Sequence, residues 1–303
     1  ADGQVFLPIS LGDNIEFSTN WRLNQQNTSL MDWQGTIKTN KVFMSPLSPY
    51  LNWKNITVEK GLINSIIAVE GVGLEVREAK LDIELSQVML ASKKRGGLSI
   101  PIDVEYFLGD FHWIEQEESE SWIFSGNDIN LSIEGEAWPE TTLLVNKKAE
   151  EVIIKSDFFR IENLIDIAAL SGWIPEEFLL QSLAGDIEKL EVIYLVESGL
   201  KDASLTIKKG QVASWSDYPG ITNLDASIHF SEQVARVKIA SEKVTIHPAN
   251  KLDDLMFFDT ITGRLEFEKK DRGWRVGGHD LKVKNDELTL ELNGSIEQNI
   301  AGE

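Results

Sequence analysis

Leu224-Asp225-Ala226-Ser227-Ile228-His229-Phe230 places an apolar side chain at every second position and a polar one between them. Side chains of a strand point alternately to the two faces of a sheet, so a period of two marks a strand with one apolar and one wet face. The pattern continues outward from this stretch. Ala235, Val237 and Ile239 alternate with Arg236 and Lys238, Leu265 and Phe267 with Arg264 and Glu266, and Leu288, Leu290 and Leu292 with Thr289 and Glu291. Earlier in the chain the same rhythm runs through Leu81, Ile83 and Leu85, through Ile100, Ile102 and Val104, and through Ile129, Leu131 and Ile133. Turn signals fall between these runs at Glu59-Lys60-Gly61, Arg95-Gly96-Gly97, Gly126-Asn127-Asp128, Tyr218-Pro219-Gly220 and Asn285-Asp286. The chain therefore reads as mainly β, an antiparallel meander.

It also reads as a duplication. Ile56-Thr57-Val58-Glu59-Lys60-Gly61 matches Leu205-Thr206-Ile207-Lys208-Lys209-Gly210, and ten residues on Gly71 pairs with Gly220. Gly109-x-Phe111-x-Trp113 parallels Gly263-x-Leu265-x-Phe267. Trp122-x-Phe124-x-Gly126-x-Asp128-Ile129-x-Leu131 parallels Trp274-x-Val276-x-Gly278-x-Asp280-Leu281-x-Val283. The blocks keep the same order, which puts a seam near residues 148–156 and divides the chain into units 1–150 and 151–303. A helical insert, about 161–183, opens the second unit. Ile161, Leu164, Ile165, Ala168 and Ala169 form one helical stripe ahead of Gly172, and Pro175–Leu183 suits a second short helix.

Charge and composition narrow the function classes. Forty-nine acidic residues against 29 basic give a net charge of -20 over 303 residues, so the average field repels nucleic acid. Lys93-Lys94-Arg95 beside two glycines reads as a solvated hairpin tip. Cysteine is absent, which removes disulfides, thiolate metal sites and cysteine nucleophiles. His112, His229, His247 and His279 lie too far apart for a helical metal-binding pair, and no nucleophile elbow or phosphate-binding glycine loop follows any strand. Glu117-Glu118, Glu150-Glu151, Glu176-Glu177 and Asp253-Asp254 suit solvated loops better than a glycosidase pair. No enzyme, metal or cofactor is expected. Apolar runs are too short to span a bilayer, and the start at Ala1 reads as a mature chain or an excised piece.

A one-sided sheet must cover its apolar face or use it. A second sheet or opposite barrel wall would make a closed core, whereas a sheet that curls without closing would leave a groove for acyl chains. Alternation alone demands the same residues for both. Trp122 and Trp274 each begin a strand after a polar turn and read as core anchors.

Phe159-Arg160-Ile161-Glu162-Asn163-Leu164 through Gly185-Asp186-Ile187 resembles the helical passage of the YhdP branch of the AsmA-like proteins. So do Pro219-Gly220-Ile221-x-Asn223-Leu224, Gly273-Trp274-Arg275-Val276 and Asp280-Leu281-x-Val283-x-Asn285. The resemblance is clearest over residues 155–300. It implies an elongated, open β-groove of the bridge-like lipid-transfer type, with the two units as consecutive lengths of one groove. It implies a periplasmic segment of a Gram-negative protein anchored in the inner membrane, with phospholipid acyl chains as partners on their way to the outer membrane. The lining would be Leu205, Ile207, Leu224, Ile228 and Phe230, then Val237, Ile239, Leu265 and Phe267, then Val276, Leu281, Val283 and Leu290. Arg236, Lys238, Arg264 and Arg275 would point outward and serve solubility. Two other classes remain open: an envelope-assembly scaffold or chaperone that receives client strands, and a carbohydrate-active β protein.

Overall fold

The computed structural model describes the chain except for residues 24–30, 52, 54, 93–100, 117–119, 172, 175–181, 216–217, 249–254, 271–272 and 300–303. The hairpin tip at 93–97, the acidic pairs at 117–118, 176–177 and 253–254, Gly172 and most of the expected second helix lie outside the described residues; Ser182 and Leu183 are irregular. Two compact units emerge: residues 1–150 with 166–176, and residues 151–165 with 177–303. The described chain is mainly strand, antiparallel and open, not closed into a barrel.

In the first unit β1 (Asp2–Phe6), β2 (Asn14–Leu23), β3 (Met31–Phe43), β4 (Ile56–Val72), β5 (Glu75–Ser92), β6 (Ile102–Glu115) and β7 (Trp122–Ile133) pair in chain order. The short β8 (Glu136–Ala137) and then β9 (Thr141–Lys148) pair with β7. The second unit begins with β10 (Glu151–Arg160), which leads into the helix α1 (Ile161–Ser171). Then β11 (Ala184–Leu195), β12 (Gly199–Val212), β13 (Gly220–Ser231), β14 (Val234–His247), β15 (Met256–Lys270), β16 (Gly273–Lys284) and β17 (Thr289–Asn299) follow as a second meander.

One duplicated block takes a matching backbone shape, whereas Gly61 and Gly263 have positive φ where their counterparts Gly210 and Gly109 do not, and Gly71 lies near the end of β4 while Gly220 opens β13. Asp128 and Asp280 adopt left-handed φ values of 50° and 51°, and each sits at a break in strand register. An extra residue at such a bulge re-aims the side chain that follows it. Ile129 and Leu281 are thereby laid over the glycines two positions before each bulge. A Cβ on Gly126 would stand 2.9 Å from Ile129 Cδ1, and one on Gly278 would stand 2.8 Å from Leu281 Cδ1. Only a glycine leaves room for that close approach.

The best-buried cluster belongs to the first unit. Met44, Val58, Val88, Ile102, Val104, Ile133 and Leu170 pack together, with Ile63, Leu85, Phe107 and Ile167 against them. The C-terminal half of α1 therefore covers one end of that unit's apolar face. This corrects the expected stripe. Leu164 is 38% exposed, whereas Ala169 of that stripe is buried and Asn163 and Leu170, outside it, are buried as well. Hydrophobic periodicity located the helix, but the sheet it meets chooses the face, and that sheet is filled by Ile167 and Leu170.

Candidate functional site

In an antiparallel sheet, residues directly opposite one another share a face, so the register assigns every side chain. In the second unit Leu205, Ile228, Val237 and Leu265 form one row across β12 to β15. A second row holds Ala203, Phe230, Ala235, Phe267 and Val276, continuing to Ile296 on β17. A third holds Ile207, Ala226 and Ile239, and Leu224 stands beside it opposite Gly210. Past the Asp280 bulge, Leu281 opposes Leu292, and Val283 lies between Ile261 and Leu290. All thirteen residues singled out in the sequence thus fall on one face.

None of the thirteen is buried. Each is half-buried, apart from Leu290 at the β17 side, which is exposed. Cross-strand neighbours shield one another's flanks, but among the described residues no second sheet lies over them. Trp274 is 49% exposed at the margin of this face, so it is not the core anchor its position suggested. Ile296, also at the margin, is 76% exposed.

The first unit carries a comparable face, which holds none of the thirteen. Phe17, Ile37, Ile67, Leu81 and Phe111 make a single row across β2 to β6. Val69, Ala79, Trp113, Phe124 and Val145 make the next. Phe111 stacks on Phe107 at 6.0 Å and on Phe124 at 5.8 Å between ring centroids, with the rings within 15° of parallel. Away from the helix-covered end the face is open, and Trp21 there is 65% exposed. The alternation of Leu81, Ile83 and Leu85 signals this face in the sequence, whereas Phe111, Trp113 and Phe124 stand out there only as parts of the repeat.

A match to known proteins bears on these faces. The family model described as YhdP protein matches residues 1–303. The chain belongs to the YhdP family. No curated protein and no solved structure matches. Membership in the YhdP family covers both units, so each apolar face is a feature of a family member rather than of an unrelated insertion.

The opposite face of the second unit is polar, and several of its charges are paired. Lys208 Nζ lies 2.8 Å from Asp225 Oδ2, and the Lys209 backbone N–H donates to Asp225 Oδ1 at 2.9 Å. Partial burial pushes the Asp225 carboxyl up, but these donors outweigh it and hold the carboxyl below the ordinary value of 3.8. Stability from Asp225 is therefore present above that value and is lost as pH falls through the lower, folded one. The partner Lys208 is raised above 10.5 by the same contact, so its share is lost only at strongly alkaline pH. Asp225→Asn should cost about 1 kcal/mol or less at neutral pH and flatten the loss of stability below pH 3.8, checked by urea unfolding at both pH values.

Among the described residues no cluster of His, Asp or Glu is arranged to hold a metal, and no helix is long and apolar enough to cross a membrane. His112 Nε2 is engaged by Glu78 at 2.8 Å, and Glu151 by Lys201 at 3.3 Å. What the site offers chemically is extended apolar surface with a wet reverse side.

Proposed function

We propose that the chain is a non-catalytic periplasmic segment of an inner-membrane-anchored protein, and that its apolar faces shield phospholipid acyl chains passing between the inner and outer membranes of a Gram-negative envelope. The observation that carries this reading is the placement of all thirteen apolar residues on one face that stays only partly buried. A soluble domain ordinarily hides such a surface, and a large uncovered one marks a binding site. Acyl chains suit it because each methylene withdrawn from water contributes about 0.8 kcal/mol without requiring any directional contact. Continuous apolar rows such as Leu205, Ile228, Val237 and Leu265 let a tail slide while its headgroup stays in water, so no step exposes the tail.

A photo-crosslinking residue placed at Ile228 or Phe267 in cells should capture phospholipid, and one at Arg236, on the reverse face, should not. Capture of protein alone from Ile228 and Phe267 would favour the scaffold class. No lipid adduct beside a working control would remove the proposal.

A further inference from the structure

The reverse face of the second unit holds a cavity of about 680 Å³. Two polar rows frame it. Ser204, His229, Arg236 and Glu266 oppose one another across β12 to β15, as do Thr206, Ser227, Lys238 and Arg264, with His279 continuing the second row on β16. Leu205, Ile228, Val237 and Leu265 also border the cavity, but their side chains belong to the opposite face, so they supply only backbone floor. Lys189, in the left-handed bulge of β11, completes the lining.

The charges here run against the chain's average. Four cationic side chains and two histidines line the cavity beside a single carboxylate, in a protein of net charge -20. Glu266 accepts from Arg236 at 3.1 Å, and Arg264 reaches out to Asp280 at 2.8 Å. Of the nearby carboxylates, Asp202 and Glu191 are engaged by His229 at 3.7 Å and Lys155 at 2.8 Å, and Glu188, opposite Thr206, acts on Lys208. Internal pairing thus leaves Lys189 and Lys238 with no anionic partner among the described residues.

We propose that this cavity binds a small soluble molecule carrying a phosphate group. Two cations outside any ion pair suit the charge of about −2 on a phosphate monoester near neutral pH, and the Ser and Thr hydroxyls add neutral donors. The volume lies within the roughly 300–1,000 Å³ of ordinary small-molecule sites. A lipid headgroup is the less suitable source of the same chemistry, because no apolar side chain faces the cavity to receive a tail. The site is separate from the acyl-chain reading and does not depend on it.

Calorimetric titration of the whole chain with inorganic pyrophosphate and with glucose 6-phosphate, at fixed ionic strength, tests this. Saturable binding that the double variant Lys189→Ala, Lys238→Ala weakens at least about tenfold is the expected result. Lys282→Ala, which removes a lysine paired with Glu291 away from the cavity, should leave binding intact. No saturation with either probe overturns the proposal, as does equal weakening by Lys282→Ala, which would indicate general charge attraction. Binding only to phosphatidylglycerol vesicles, lost in the double variant, would assign the cavity to a headgroup and overturn the soluble ligand. Both lysines line an open cavity, so circular dichroism should report an unchanged fold.

Discussion

Ile228→Asp should abolish phospholipid retention while leaving the second unit folded. Ile228 sits between Leu205 and Val237 in the central apolar row, and it is only half-buried. A carboxylate there keeps contact with water, so its cost is mainly the loss of a good strand former, about 1 kcal/mol. In a closed core the same change would bury an unpaired charge and cost several kcal/mol, enough to unfold many domains. An acyl chain lying on the row would have to strip water from that carboxylate, which erases the gain from several methylenes. Native mass spectrometry of the gently purified chain should therefore show lipid adducts in the parent and in Ser227→Asp, whose side chain points to the reverse face, and none in Ile228→Asp. Global unfolding of Ile228→Asp would mean the row is a core. Unchanged adducts would place the lipid elsewhere.

Much of this face was legible because its strands alternate cleanly. Arg236, Val237 and Lys238 announce a face change at each residue, and pairing them with Arg264, Leu265 and Glu266 only confirms it. Bulges are where alternation stops being a guide. Counting in twos from Val276 would send Leu281 to the wet side, and only the extra residue at Asp280 returns it to the face of Val276 and Gly278. The α1 stripe departs at Leu164 for another reason: a helix between polar and apolar surroundings is oriented by its neighbour, and Leu170 outranks Leu164 because the first unit's sheet offers it a pocket. The cationic cavity was illegible in kind. Lys189, Lys238 and His279 come from three strands, and each alone looks like an ordinary solvated position.

Leu170→Ala should destabilise the first unit by about 2–5 kcal/mol, the range for truncating a fully buried leucine. Leu170 is 2% exposed and packs with Met44, Val58, Val88 and Ile133, so its removal leaves a void where the helix meets the sheet. Leu164→Ala, on the exposed side of the same helix, should cost no more than about 1 kcal/mol, because little area is lost. A second tie holds this end: Asn55 Nδ2 donates to the Ser171 carbonyl at 2.6 Å. Asn55→Ala should add about 1 kcal/mol and couple to Leu170→Ala, since both anchor the same turn. The helix end acts as a lid over one stretch of apolar face, so loosening it should do more than lower stability. Val58, Val88 and Ile102 would become accessible, and binding of a hydrophobic dye should rise before urea unfolds the chain. Hydrogen exchange should then quicken in β4, β5 and β6 while β13 to β15 keep their protection. Equal effects of Leu164→Ala and Leu170→Ala on urea midpoint and dye binding would show that the helix covers nothing.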